Sequence, residues 1–203
     1  TTHEFSDGTE FILDAGMRRK DQDASFPSEA STVDTTLTTW SLTPRADLGW
    51  LLLGQNHNSK IGTDLYYAYY DSDRRQDRDD QAQHEYRAHQ TTFGIYGQDE
   101  FKLTERLNAQ VGARFIWVEF TAEDGFNPGA PGAFGSGKNT TRQIDQTYVY
   151  NFGMEYELDR GLLAFGRTSR GVRLPTIDER ISSSDPNTFK LKTQTSQDLE
   201  AGL

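Results

Sequence analysis

Five stretches of this chain alternate apolar and polar residues with a period of two, and the connections between such stretches are in turn short and long. From Leu107 the sequence LNAQVGARFIW sets Leu107, Ala109, Val111, Ala113, Phe115 and Trp117 against Asn108, Gln110, Gly112 and Arg114. Strict alternation is the mark of a β-strand, whose successive side chains point to opposite faces. YVYNFGMEYEL repeats it, with Tyr148, Tyr150, Phe152, Met154, Tyr156 and Leu158 opposing Val149, Asn151, Gly153, Glu155 and Glu157. In KIGTDLYYAYY, Ile61, Thr63, Leu65, Tyr67 and Tyr69 oppose Lys60, Gly62, Asp64, Tyr66 and Ala68. FILDAGMRR and TWSLTPRADL add two more strands, although Pro44 removes one ladder hydrogen bond from the second.

The short connections are SDG (6–8), GQNHN (54–58), TER (104–106) and DRG (159–161), all with hairpin-turn chemistry. The long polar excursions cover 21–34, 71–90, 123–141 and 174–192. This sorting predicts one antiparallel sheet with every short turn at one edge and every long loop at the other. It is the asymmetry of a bacterial outer-membrane barrel, with brief periplasmic turns and extended extracellular loops. Tyr67, Tyr69, Phe115, Trp117, Tyr148 and Tyr150 sit toward the long loops and Phe101 and Tyr156 toward the short turns, the arrangement of two aromatic girdles around an apolar band. Each apolar face spans roughly ten residues, enough for a tilted strand to cross a bilayer. The predicted fold is therefore all-β, an antiparallel transmembrane β-barrel segment of about eight or nine strands. A soluble antiparallel sandwich is the competing reading, but the wet face needs a hydrated lumen.

Composition excludes other classes. Only 34% of residues are hydrophobic and the mean hydropathy is −0.77, yet 12% are aromatic, which rules out a disordered chain. No window approaches a transmembrane helix, and Thr1 opens polar sequence without the succession of a signal peptide. The absence of cysteine excludes disulfides and cysteine zinc sites, and a net charge of −10 argues against nucleic acid as a partner.

Three segments together resemble the TonB-dependent outer-membrane receptors: GIYGQDEFKLTERLNAQVGARF (94–115), FGRTSRGVRLPTIDER (165–180) and LKTQTSQDLEAGL (191–203). The first matches the family pattern of an aromatic, then Gln-Asp-Glu, a short turn and Gly-x-Arg, here Tyr96, Gln98, Asp99, Glu100, Gly112 and Arg114. The others match Ser-Arg-Gly-Phe-Arg-Ala-Pro and a strand opening Leu-Lys-Pro-Glu-Thr-Ser and closing Glu-x-Gly. Here those positions are Ser169, Arg170, Gly171, Arg173, Pro175, Leu191, Lys192, Thr195, Ser196, Glu200 and Gly202. Val172, Leu174, Thr193 and Gln194 depart from the pattern without changing its spacing. The match covers about the C-terminal half.

The resemblance implies an energised importer: a barrel of about 22 strands, filled by an N-terminal plug, that binds a scarce ligand outside and releases it when the TonB–ExbB–ExbD complex pulls on the plug. Residues 1–203 are then expected to be a central part of that barrel, with the plug, the TonB-contacting segment and the final strands lying outside them. The expected ligand is a ferric siderophore, the expected surroundings outer-membrane lipid, and neither an enzyme activity nor a cofactor is expected. A passive porin, another outer-membrane barrel or a soluble all-β binding module are the alternatives. Haem is disfavoured because residues 174–184 contain no histidine; Asp185, Pro186 and Asn187 lie where haem receptors of the family carry Asn-Pro-Asn.

Pro175 removes a donor and holds Leu174 extended, so it marks where a rising strand ends. Arg170 and Arg173 at that rim, and Arg114, are the candidate ligand contacts. For the first two, pairing in the lumen with Asp178, Glu179 or a loop carboxylate is the favoured role and an anionic ligand the second. Other constellations have a plainer reading. His84, Glu85 and His89 suit a solvated loop better than zinc. The aspartates of 71–80 are neutralised by Arg74, Arg75 and Arg78 and lack a calcium-loop glycine. GAPGAFGSGK, ending at Lys138, lacks the setting of a phosphate loop and reads as a mobile external loop.

Overall fold

The computed structural model describes residues 2–6, 8–135, 140–159, 161–181 and 189–203. Nine strands form one antiparallel sheet in sequence order: β1 (Thr2–Ser6), β2 (Thr9–Phe26), β3 (Ser31–Leu52), β4 (Gln55–Arg75), β5 (His84–Thr104), β6 (Leu107–Asp124), β7 (Thr140–Asp159), β8 (Leu162–Arg173) and β9 (Gln194–Gly202). Each strand pairs with the next, so the β1–β2, β3–β4, β5–β6 and β7–β8 connections share one edge and the remaining loops share the other, as the sequence predicts. No second sheet covers the first among the described residues.

The register fixes which side chains share a face. Trp40, Tyr67 and Thr91 lie in one row, as do Leu42, Leu65, Phe93 and Trp117, and Ile95, Phe115 and Tyr148 in another. This outer face is apolar yet uncovered: Val111 is 45% exposed, Phe115 42% and Phe152 43%. On the opposite face of the same strand, Ile116, Val118 and Phe120 are buried. A water-soluble sheet would hide the first set; one whose outer solvent is lipid leaves it open.

Two expectations need correction. The stretches 21–34 and 71–90 are mostly strand. β2 and β3 run to a three-residue 3-10 turn at Pro27–Glu29, and β4 and β5 leave only 76–83 between them. Trp117 is likewise followed by strand as far as Asp124. Strands of 18 to 22 residues are about twice what a bilayer needs, so their upper halves rise beyond it and their outer face turns polar there. Cross-strand pairs hold them there: Arg75, which also bonds Asp73 on its own strand, reaches Asp34 at 3.2 Å, Arg142 bonds Glu119 at 2.6 Å, and Thr36 donates to Asp21 at 2.8 Å. The β3–β4 connection is also shorter than GQNHN suggests. Gln55, Asn56, His57 and Asn58 are in β4, and the turn is Leu53-Gly54 at φ 51° and 80°, both left-handed as a two-residue type I′ hairpin requires.

The buried apolar cluster lies on the inner face toward the long-loop edge. Tyr70, Tyr86, Ala88, Phe120 and Ala122 of β4, β5 and β6 meet Ile177, Ile181 and Phe189 of the β8–β9 connection. That connection folds inward over the wall.

Candidate functional site: the inner wall and its mouth

The middle of the inner wall is built by long side chains lying across glycines on neighbouring strands. The Arg114 guanidinium crosses Gly94, where an added Cβ would stand 3.0 Å from it, and its Nη2 reaches Asp64 Oδ2 at 2.7 Å. Its Cζ lies 5.9 Å from the Tyr96 ring centroid, and the Tyr96 hydroxyl crosses Gly62. Gly112 makes room for Asn151, whose Oδ1 would be 2.2 Å from a Cβ there. Together Asp64, Tyr96, Gln98, Arg114 and Asn151 line a recess of about 270 Å³. Gln98 donates to Glu100 at 3.0 Å on this same face.

Asp99 faces the other way. It shares the outer face with Val111 and Phe101 and accepts from Ser59 Oγ at 2.7 Å, with His57 Nδ1 at 2.6 Å. Trp50 Nε1 donates to Ser59 at 2.7 Å, and the His57 ring lies between Trp50 and Phe101, at 4.8 and 4.9 Å. Sequence reasoning passed over this network; its signal is three polar residues, His57, Ser59 and Asp99, at apolar-face positions.

The mouth is set by the Arg-Gly-x-Arg-x-Pro segment. β8 stops at Arg173, and Pro175 is followed by Thr176, which caps the four-residue helix α1 (Ile177–Arg180). The cap is reciprocal: Glu179 N donates to Thr176 Oγ1 at 3.3 Å and Thr176 N to Glu179 Oε2 at 2.9 Å. Arg173 is on the inner face and pairs with Glu179. The Thr176 amide and then Arg173 hold the Glu179 carboxyl below the usual glutamate range.

Arg180 is 1% exposed; it donates to Gln143 at 3.0 Å and Asp145 at 2.9 Å and lies 4.9 Å over Phe120. These contacts fasten α1 to β6 and β7. Burial raises the Tyr70 phenol. A cavity of about 550 Å³ opens beside it, lined by Tyr70, Arg74, Gln83, His84, Phe134 and Asp178 among others.

Arg170 does not meet the expectation of a lumen-facing rim. It pairs in register with Tyr150, on the outer face, where its guanidinium stacks 4.1 Å from the Tyr148 ring and donates to the Tyr148 carbonyl. Arg114 and Arg173 are the two sequence-predicted arginines on the inner side. The other motif positions hold the β8–β9 pair. Glu200 bonds Arg167 at 2.7 Å, Phe165 lies across Gly202, and Gly171 faces Ser196. The Gly/Pro-rich 125–135 stretch is not a free loop either, because its amides bond β5 and the 76–83 connection, Gly125 N to Glu85 O at 2.8 Å and Asn127 N to Gln83 O at 2.9 Å. Lys138 and 185–187 lie outside the described residues. No group of three or more metal-ligating side chains occurs among the described residues.

Comparison with solved structures agrees with this architecture. The chain superposes on the ferric-catecholate import receptor Fiu from E. coli K12 in its closed form with a TM-score of 0.73 at 13% identity, covering 99% of this chain and 36% of that one. It superposes on the siderophore receptor PiuA from Acinetobacter baumannii with a TM-score of 0.77 at 10% identity, covering 99% and 36%. On the copper transporter OprC the TM-score is 0.63 at 15% identity, covering 97% and 33%. The chain thus spans about a third of the length of these structures. No curated protein matches the sequence. The family model for the TonB dependent receptor-like β-barrel matches residues 1–203. With nine meandering strands, an uncovered apolar outer face and a polar inner wall, the chain belongs to the TonB-dependent receptor β-barrel family of the bacterial outer membrane.

Proposed function

We propose that this barrel segment serves an active importer whose cargo is a ferric siderophore, driven by the TonB–ExbB–ExbD complex. In that reading the full protein places a plug domain N-terminal to the barrel, inside the polar wall. The family match over the whole chain carries the proposal. The inner wall supports it chemically. A chelate that already saturates its iron with oxygen ligands needs no protein ligand atom, only donors and aromatic surface, and Arg114, Tyr96, Gln98 and Asn151 supply these around the mid-wall recess. Arg114 is held by Asp64 and Arg173 by Glu179, so both act as fixed donors whose charge is partly spent. Arg170, turned to the outer face, is left out of the ligand path.

The test is growth of a strain lacking the full gene under iron limitation, with ferric siderophores, haem, cobalamin, copper and oligosaccharide supplied separately. Loss of growth on a siderophore alone, restored by the gene, is the expected result. A defect repaired by haem, cobalamin or a sugar and indifferent to siderophore supply overturns it.

A further inference from the structure

His84 is 1% exposed and its ring is bonded at both nitrogens. Nδ1 faces Asp124 Oδ2 at 2.9 Å and Oδ1 at 3.1 Å, while Nε2 faces the Phe134 carbonyl at 2.8 Å. A carbonyl only accepts, and so does a carboxylate, whereas a neutral imidazole has a single N–H. Both bonds are made together only when the His84–Asp124 pair holds two protons: an imidazolium against a carboxylate, or a neutral ring accepting from a protonated Asp124. The ring is enclosed by aromatics, stacked on Tyr86 at 5.4 Å with Phe126 at 4.9 Å and Phe134 at 6.0 Å. Water is therefore poorly placed to replace a lost partner.

The Phe134 carbonyl belongs to the 125–135 segment, which closes one side of the mouth cavity with Gly132 and Phe134 in its lining. Among the described residues the segment is supported by the Gly125 and Asn127 amides on β5 and the 76–83 connection, by Asn127 Nδ2 on Gln81 Oε1 at 3.4 Å, by Gln83 Nε2 on the Pro131 carbonyl at 2.6 Å, and by His84. Of these His84 alone changes its number of donors with pH. The charged and titratable groups around it are Asp124 from β6, Arg74 opposite it and Tyr70 on β4, Tyr86 on its own strand, and across the cavity Asp178 of α1 and Glu29 of the β2–β3 turn. Residues 125–135 contain none.

We infer that the buried His84–Asp124 pair is a proton-dependent latch that holds the 125–135 segment over the mouth cavity. The sign follows from the proton count. The latch is made while the pair holds its second proton and is released as the pH rises and that proton leaves, because the one remaining N–H then stays on Nδ1 against the Asp124 carboxylate and the Nε2 lone pair faces the Phe134 carbonyl. The inference does not depend on which ligand the receptor carries.

The test is hydrogen exchange on the full-length receptor in detergent, read at the Gly125, Asn127, Ala130 and Ala133 amides and corrected for intrinsic rates, from about pH 5 to about pH 9. Wild-type protection should fall by about tenfold or more toward high pH, the effect of losing one charge-assisted bond. Asp124→Asn is the discriminating variant. Its amide donates to the Nδ1 of a neutral ring that keeps Nε2–H on Phe134, so protection should stay high and flat across the range. His84→Gln should lower protection at every pH. Exchange at β6 amides, unchanged in all variants, confirms the barrel. A flat wild-type profile, or an Asp124→Asn profile that falls with the wild type, overturns the latch; either result is read without His84→Gln, should that variant not fold.

Discussion

Replacing Arg180 by alanine should release α1 from the barrel wall while leaving the barrel intact. The guanidinium is almost wholly buried and donates to Gln143 at 3.0 Å and to the Asp145 carboxylate at 2.9 Å. Asp145 is itself 18% exposed, so the pair sits well below the surface, where solvent screening is weak. Removing one partner of such a pair leaves an uncompensated charge and costs about 3–5 kcal/mol. Lost packing over Phe120 adds to this. At about 1.4 kcal/mol per decade, protection of residues 174–181 against exchange or protease should fall by at least about a hundredfold. Arg180→Met keeps the apolar volume but strands Asp145, so it should recover little. Arg180→Met with Asp145→Leu removes both charges and should recover most of the loss, because a buried pair is often no better than well-packed apolar residues. The assay is native-state hydrogen exchange of the refolded receptor, with β6 amides as the internal reference. Protection of 174–181 within about threefold of wild type in Arg180→Ala would refute the view that this contact fastens the helix.

The same helix should loosen in acid. Glu179 is depressed by the Thr176 amide and by Arg173, so its contribution is present above its unfolded pKa and is lost as the pH falls below about 4; proteolysis of 174–181 should rise there, and Glu179→Gln should abolish the dependence. Phe152→Arg puts a charge on the outer face and should cost about 2–4 kcal/mol in barrel stability measured by refolding into lipid vesicles, whereas Asn151→Arg, facing inward, should cost far less. Gly112→Val should displace Asn151 and close the mid-wall recess; a crystal structure of the variant with Asn151 unmoved would contradict that packing.

The parts of the fold legible in the sequence are those where one face meets lipid. Leu107 to Trp117 and Tyr148 to Leu158 alternate because hydrocarbon and lumen impose opposite demands on successive residues, and their faces come out as the alternation predicts. Above the girdle the outer face meets water while the inner face packs Tyr70, Tyr86 and Phe120 against the β8–β9 connection, so the lipid-against-lumen contrast is lost. DSDRR at the end of β4 therefore reads as loop, although Arg75 pairs across the strands with Asp34. β8 misleads for a related reason. Its outer side carries Thr168 and Arg170 and its inner side Leu163 and Phe165, so polarity does not announce the face, and only the pairing of Tyr150 with Arg170 does. The mouth was opaque because its contacts join distant segments: Arg180 to Asp145, Arg74 to Ile181, His84 to Phe134.

The Gln-Asp-Glu run shows how one motif divides between two solvents. Gln98 and Glu100 point to the inner wall and bond each other, while Asp99, between them, points to the apolar outer side. An ionisable group there is expensive unless its partners are supplied on the spot. Here they are: Ser59 and His57 serve the two carboxylate oxygens, Trp50 serves Ser59, and the rings of Trp50 and Phe101 sandwich the imidazole. These residues come from β3, β4 and β5, so the network ties three strands together near the short-turn edge, where its polarity is hidden from lipid by its own aromatics. Alternation thus assigns the two duties before any ligand is known. Even-numbered positions of β5 and β6 shape the inner wall, and odd-numbered positions such as Asp99 hold that wall in the membrane. A ligand-specific substitution is to be sought on the first set, beginning with Gln98 and Arg114, and a folding defect without change of specificity on the second.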